Sequence, residues 1–178
     1  EVRVVTPETE WTAARAEVSQ AKIIIDAMLG TGLTGPVEGL LARVIADVNE
    51  MCKYPRMGEL RTTIVAVDIP SGLPSDSGEP MGPAIAAHYT FSFTAPKPCL
   101  LFPPNCEQAG ELFVAQIGTP PEMLDEDDTL KLHWLEPREF AALPLARRPA
   151  GHKGDYGHAL IIAGSRGKTG AAVLAAMG

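Results

Sequence analysis

Two carboxylates stand where chemistry is expected. Asp26 closes the apolar run of residues 21–26, and Asp68 follows the run of residues 62–67. Short β-branched runs of this kind read as buried strands, and open α/β sheets bind ligands outside the carboxyl ends of their strands. Both acids would then border one crevice. Burying a carboxylate is costly unless a cation, a metal or hydrogen-bond donors meet it. One acid at a strand end is ordinarily a cap on loop N–H groups; two beside one crevice suggest a site. Between them runs Gly30-Thr31-Gly32-Leu33-Thr34-Gly35, followed by Pro36. This is a G-x-G-x-x-G pattern after a strand and before a helix, the context the motif requires. Its glycines would let backbone approach a phosphate near a helix N-terminus; the plain alternative is a tight turn with no ligand.

A dinucleotide oxidoreductase would carry its ribose-binding acid about 20 residues beyond the glycines. Here the next strand-end acid is Asp68, and 68 − 35 gives 33. The stretch Val67-Asp68-Ile69-Pro70-Ser71-Gly72-Leu73 forces a turn through Pro70 and Gly72. The Ser71 hydroxyl, a carboxylate and loop carbonyls could form an oxygen-only cation site, with K⁺, Na⁺ and no metal all left open. Gly164-Ser165-Arg166-Gly167-Lys168-Thr169 is not a P-loop, because Ile162 stands where that motif needs glycine. His88, His133 and His158 have no ligand spacing and read as surface or partly buried histidines.

The elements that must position these groups alternate. Residues 9–20 are loosely helical, 21–26 a strand, 30–36 a glycine-rich turn, and 37–49 an amphipathic helix bearing Val37, Leu40, Leu41, Val44, Ile45 and Val48. Residues 62–67, 88–93 and 111–117 read as further strands, and 70–83, rich in Pro, Gly and Ser, as loop. This order predicts an α/β domain with a parallel sheet. Residues 119–128 turn to Pro and acids and mark a boundary. Beyond it, 136–139 resemble a helix start, 147–157 are basic, 159–163 read as a strand, and a small-residue helix follows the 164–167 turn. Residues 1–5 read as the end of a strand.

The 178 residues, 46% hydrophobic and 21% charged, allow one domain or one domain and part of another. A formal charge of -7 with no basic stripe excludes nucleic acid as the expected partner. Cys52, Cys99 and Cys106 form neither a disulfide framework nor a zinc pair. No apolar run reaches membrane length and no signal-peptide pattern opens the chain, so the expected location is the reducing cytoplasm, with no membrane partner. A homo-oligomeric assembly is a separate expectation.

Three segments together carry a resemblance. Asp26-Ala27-Met28-Leu29-Gly30-Thr31-Gly32-Leu33, Val67-Asp68-Ile69-Pro70-Ser71-Gly72-Leu73 and Thr94-Ala95-Pro96-Lys97-Pro98 resemble the NAD(P)H-hydrate epimerase family. His152-Lys153-Gly154-Asp155-Tyr156-Gly157, then Ala163-Gly164-Ser165 and Gly170-Ala171-Ala172, are similar to the start of the ADP/ATP-dependent NAD(P)H-hydrate dehydratase. The first covers about two thirds of the chain and the second most of the remainder, in the order of the fused bifunctional repair enzymes. The resemblance implies a Rossmann-like three-layer αβα epimerase domain over residues 1–124. It implies a linker and the start of a ribokinase-like α/β domain over 125–178.

The family's residues carry over by position. Gly30, Thr31, Gly32, Leu33, Thr34, Gly35 and Pro36 should hold the hydrated nucleotide, and Asp68 should contact it. Asp26 and Ser71 should help bind K⁺, and Ala172 should line the dehydratase substrate pocket. Two family segments have no match in this sequence: an Asn-rich glycine motif upstream, with a further K⁺ ligand, and the dehydratase Gly-Asp segment that serves ADP or ATP. The chain is therefore expected to be an internal piece, weakly active or inactive alone, with a tail poorly ordered after about residue 125.

The implied reaction is repair of hydrated NADH and NADPH (NAD(P)HX). Its R and S epimers would interconvert by ring opening, or by loss and re-addition of the hydroxyl, with Asp26 as candidate general acid/base. The S epimer would be phosphorylated on that hydroxyl at the expense of ADP or ATP and lose phosphate. The rival readings are an NAD(P)-dependent oxidoreductase and a non-catalytic nucleotide-binding module.

Overall fold

Isoleucine, valine, threonine and aromatic side chains pack well on a pleated surface, and runs rich in them form the sheet. In the computed structural model, which describes residues 2–53, 62–143 and 148–177, β1 (Ile23–Asp26), β2 (Thr63–Val67), β3 (Tyr89–Phe93) and β4 (Glu111–Ala115) are all parallel. They lie in the order β1-β2-β3-β4. The register pairs Asp26 with Ala66, Ala66 with Thr90 and Thr90 with Leu112, so these four side chains share one face.

That face is covered. Trp11 and Ala14 of α1 (Glu8–Val18) and Ile45, Val48 and Cys52 of α2 (Gly39–Lys53) form one core with Ile64, Ala66, Ile85 and Ala87. The Trp11 indole N–H donates to Asp47 at 2.8 Å, which ties α1 to α2. On the other face Ile23, Ile25, Tyr89, Phe91 and Phe113 are exposed, with the Phe91 and Phe113 rings stacked at 5.0 Å. The described residues thus supply the sheet and one helical layer of an α/β Rossmann-like domain.

Parallel neighbours need crossovers. Helix α2 makes the first. The second, from β2 to β3, has no helix and is nevertheless buried from Ile69 to Pro74. It is tied to the helical layer by Asn49, whose amide donates to Ala84 O and accepts from Ala86 N, both at 2.8 Å. The third holds α3 (Pro98–Leu101) and a 3-10 turn, Asn105–Gln108. Asn105 donates to the carbonyls of Ser77 and Glu79.

The chain divides into two compact units, Glu1–Asp127 and Asp128–Gly178. The first ends with α4 (Glu122–Asp125). The second contains 3-10 turns at Pro137–Phe140 and Lys153–Tyr156 and the helix α5 (Gly170–Met177). None of its described residues is buried; only Glu136, Tyr156 and Ala172 are even half-covered.

Three expectations are corrected. Residues 159–163 form no strand: Leu160 and Ile162 are 84% and 88% exposed, and a strand needs a neighbouring ladder that no described residue provides. Residues 2–5 are irregular for the same reason, with Val2 and Val4 in solvent, while Glu1 lies outside the described residues. The helix expected over 37–49 runs over Gly39–Lys53; Val37 is buried ahead of it. Arg147, part of the basic stretch, lies outside the described residues.

Candidate functional site

The carboxyl ends of β1, β2 and β3 carry Asp26, Asp68 and Thr94. Asp26 is the last residue of β1 and is 2% exposed. Its burial is offset by Ser71: Oδ2 accepts from the Ser71 N–H at 2.7 Å, and Oδ1 from the Ser71 hydroxyl at 2.6 Å. The Ser71 oxygen accepts in turn from Leu29 N–H at 2.9 Å and lies 3.4 Å from the Leu29 carbonyl oxygen. Residues 45 apart in sequence thus hold the start of the glycine loop against the second crossover.

Gly72 makes that turn possible. It sits at φ 99°, and a side-chain carbon there would meet the Pro83 carbonyl oxygen. The glycines of the 30–36 loop differ. Gly30, Gly32 and Gly35 have no positive φ, and a carbon added to any of them would meet nothing within 4 Å. Most of the loop is exposed; Pro36 packs beside Gly82. Helix α2 begins at Gly39, so three residues separate Gly35 and Gly39 rather than the motif leading straight into the helix.

Asp68 follows β2 at φ 69°, a left-handed conformation that Asp tolerates better than most residues. Its Oδ1 accepts from Phe93 N–H at 3.0 Å, lies 3.4 Å from the Ser92 hydroxyl, and pairs with the Lys97 ammonium at 2.5 Å. Burial pushes this carboxyl up, but the hydrogen bonds from Lys97 and Phe93 and the Lys97 charge outweigh it and hold it below the ordinary range. At the end of β3, Thr94 also has φ 66°, costly for a β-branched residue; its hydroxyl shares a 2.7 Å hydrogen bond with Thr119.

The expected site residues therefore fall into separate groups. Asp26 and Ser71 are brought together beside Leu29. Asp68 faces the end of β3, and among the described residues no hydrogen bond joins it to Asp26. Ala172 lies on α5 in the second unit. Lys97 was visible in sequence only as part of the 94–98 segment; its role depends on Asp68, 29 positions away, which spacing does not reveal. In the second unit, His152 Nδ1 accepts from Gly154 N–H and Asp155 accepts from His152 N–H. Ser165 and Lys168 bridge across Arg166-Gly167, so this glycine segment forms a tight turn just ahead of α5.

An oxygen set of carboxylate, hydroxyl and carbonyl suits a hard monovalent cation, and Asp26, Ser71 and Leu29 supply one. Among the described residues no three His, Cys, Asp or Glu side chains converge. Cys52 and Cys99 are buried, and burial pushes Cys99 up to about 11, which keeps it a protonated core group. No helix among the described residues is long and apolar enough to cross a membrane.

Residues 2–99 match the family model described as YjeF-related protein N-terminus. The chain is also similar to curated proteins named bifunctional NAD(P)H-hydrate repair enzyme Nnr. Identity is 42% over 89% of this chain for the Thermofilum pendens protein, 37% over 88% for that of Coxiella burnetii, and 32% over 90% for that of Escherichia coli. The matches cover 28%, 30% and 31% of those proteins, so the chain spans less than a third of their length.

Proposed function

The chain belongs to the family of YjeF-related protein N-termini, and from that premise we propose that it takes part in repairing hydrated NADH and NADPH, epimerising their R and S forms. One observation carries the reading. Gly30, Gly32 and Gly35 answer no need of the fold, since none has a positive φ and a side chain at each would meet open space. Glycine in such places serves something outside the chain that must approach the backbone closely. The nucleotide phosphates and sugar of NAD(P)HX are the proposed occupant of the loop from Gly30 to Pro36.

Asp68 is the proposed contact to the same substrate. Asp26 and Ser71 are the proposed protein ligands of K⁺, and their oxygen chemistry fits it. The ion would supply fixed positive charge beside the loop. Asp26 is also the proposed acid/base for the hydroxyl-bearing carbon. Its 2% exposure means that proton transfer would pass through the Ser71 hydroxyl or a water reaching Oδ1. Residues 1–124 would form the epimerase part and 125–178 the start of an ADP- or ATP-dependent dehydratase, in which Ala172 lines the substrate pocket and the S epimer is phosphorylated and loses phosphate. The name of the relatives, bifunctional repair enzymes, supports the presence of two activities.

The experiment is incubation of the full-length protein with a mixture of R- and S-NADPHX, K⁺ and ADP or ATP. Recovery of reduced-nicotinamide absorbance from both epimers is the expected result. Turnover only with an added oxidisable substrate would favour an oxidoreductase, and binding without turnover a non-catalytic module. The Asp26→Ala variant is expected to lose epimerisation while dehydration of S-NADPHX persists. Wild-type epimerisation in that variant would remove Asp26 from the mechanism.

A further inference from the structure

The Lys97 side chain is four-fifths covered, and its ammonium makes three contacts: to Asp68 Oδ1, to the Ser92 hydroxyl at 3.0 Å, and to the Phe93 carbonyl at 2.8 Å. An ammonium has three protons and no acceptor. Its donors are used within the fold, so it reaches no ligand without breaking one of these bonds. Its backbone is fixed as well: Lys97 is extended at φ −87°, ψ 152°, immediately before α3, with Pro98 opening the helix.

Asp68 is the complement. Every contact of its carboxylate falls on Oδ1, and Oδ2 has no partner among the described residues although the side chain is only 21% exposed. An ionised carboxylate offers about four acceptor positions, so the lone pairs of one oxygen remain available at the carboxyl edge of the sheet. The left-handed backbone of Asp68 aims the group toward β3 and removes it from the covered row that Asp26 occupies.

We propose that Lys97 is a positioning residue for Asp68: by holding Oδ1 it fixes the carboxylate in one orientation and presents Oδ2 to a hydroxyl donor of the bound nucleotide. This deepens the nucleotide-repair reading and rests on it for the identity of the donor. Two hydroxyl sources share that chemistry, the hydrated ring and the ribose. They separate in binding: NADH carries the ribose hydroxyls and lacks the ring hydroxyl.

The test uses the full-length protein with Lys97→Met and Lys97→Arg, and Asp68→Asn to identify the Asp68 carboxyl resonance. Carbon-detected titration should show the Asp68 midpoint rising by about one unit or more in Lys97→Met, a tenfold change in its protonation equilibrium, and returning in Lys97→Arg. KM for NADHX should rise about tenfold in Lys97→Met with kcat nearly unchanged, the pattern of lost uniform binding. A ribose contact would weaken NADH binding in parallel, and a ring-hydroxyl contact would leave it unchanged; either supports the proposal. If Lys97→Met does not accumulate as folded protein, Lys97→Gln is read in the same way. An unshifted Asp68 midpoint in an active enzyme overturns the positioning role, as does a shifted midpoint with unchanged KM. A Lys97-dependent midpoint in a protein without repair activity overturns the nucleotide reading alone.

Discussion

Gly32 and Gly72 separate two reasons for a glycine. At Gly72 a side chain would need φ 99° and would collide with the Pro83 carbonyl. Gly72→Ala is expected to destabilise by about 2–4 kcal/mol, from left-handed strain and overpacking, read as a fall in urea midpoint. Gly32→Ala meets open space and should leave stability within about 1 kcal/mol of the parent, yet weaken nucleotide binding. A stable Gly32→Ala protein with unaltered nucleotide affinity would take the loop out of the site. Asp68 supplies a pH effect. Its folded-state carboxyl is depressed, so its stabilisation is complete above the ordinary carboxyl value of about 3.9 and is lost as pH falls through the lower folded value. Between pH 5 and acid unfolding, about those limits, the parent should lose more stability than Asp68→Asn; parallel curves would contradict the ion pair. K⁺-free buffer should slow epimerisation, and EDTA with K⁺ present should not.

At the scale of elements, the joints between helix and crossover matter more than the helices themselves. Asn49 satisfies one backbone acceptor and one donor of the irregular second crossover, at Ala84 and Ala86. This crossover has no helix of its own to satisfy its backbone. Asn49→Ala would leave both groups without that partner, at about 1–3 kcal/mol for each one that stays buried. Thermal unfolding should show the loss, and Asn49→Asp should recover only the acceptor half, toward Ala86 N–H. A neutral Asn49→Ala would mean that water replaces the side chain. His88 makes a similar joint, its Nδ1 accepting from Ile64 N–H where β2 begins. The alternation of apolar runs located α2 and all four strands to within a few residues. It did not locate these side-chain clasps, because Asn and His are common loop residues and their partners lie 24 to 37 positions away.

Across the whole molecule, burial divides the two units sharply. The first holds two apolar clusters around Ile64 and around Cys99. The second has no buried residue among those described. Apolar burial is the main term opposing chain entropy, so amide protection should concentrate in β1 to β4 and α2. Amides of residues 159–176 should exchange close to the unprotected rate in a monomeric sample of this chain. Strong protection there would show that the second unit stabilises itself by contacts the structure does not contain.

Periodicity and residue type by themselves determined the parallel α/β order, the two strand-end acids and the turn at Pro70 to Gly72, and the motifs around Asp26, Asp68 and Lys97 carried the resemblance to the NAD(P)H-hydrate repair enzymes. These are local properties: strand propensity, φ requirements and contiguous motifs are written within a few residues of each other. Tertiary structure alone decided that Asp26 is clasped by Ser71 while Asp68 turns to Lys97, that the glycines of the 30–36 loop face open space, and that residues 159–163 form no strand. Each of those outcomes depends on what a side chain or backbone group meets after the chain has closed on itself. An apolar run such as 159–163 becomes a strand only where another strand offers its unpaired N–H and C=O groups, and five residues of sequence carry no record of whether that neighbour exists.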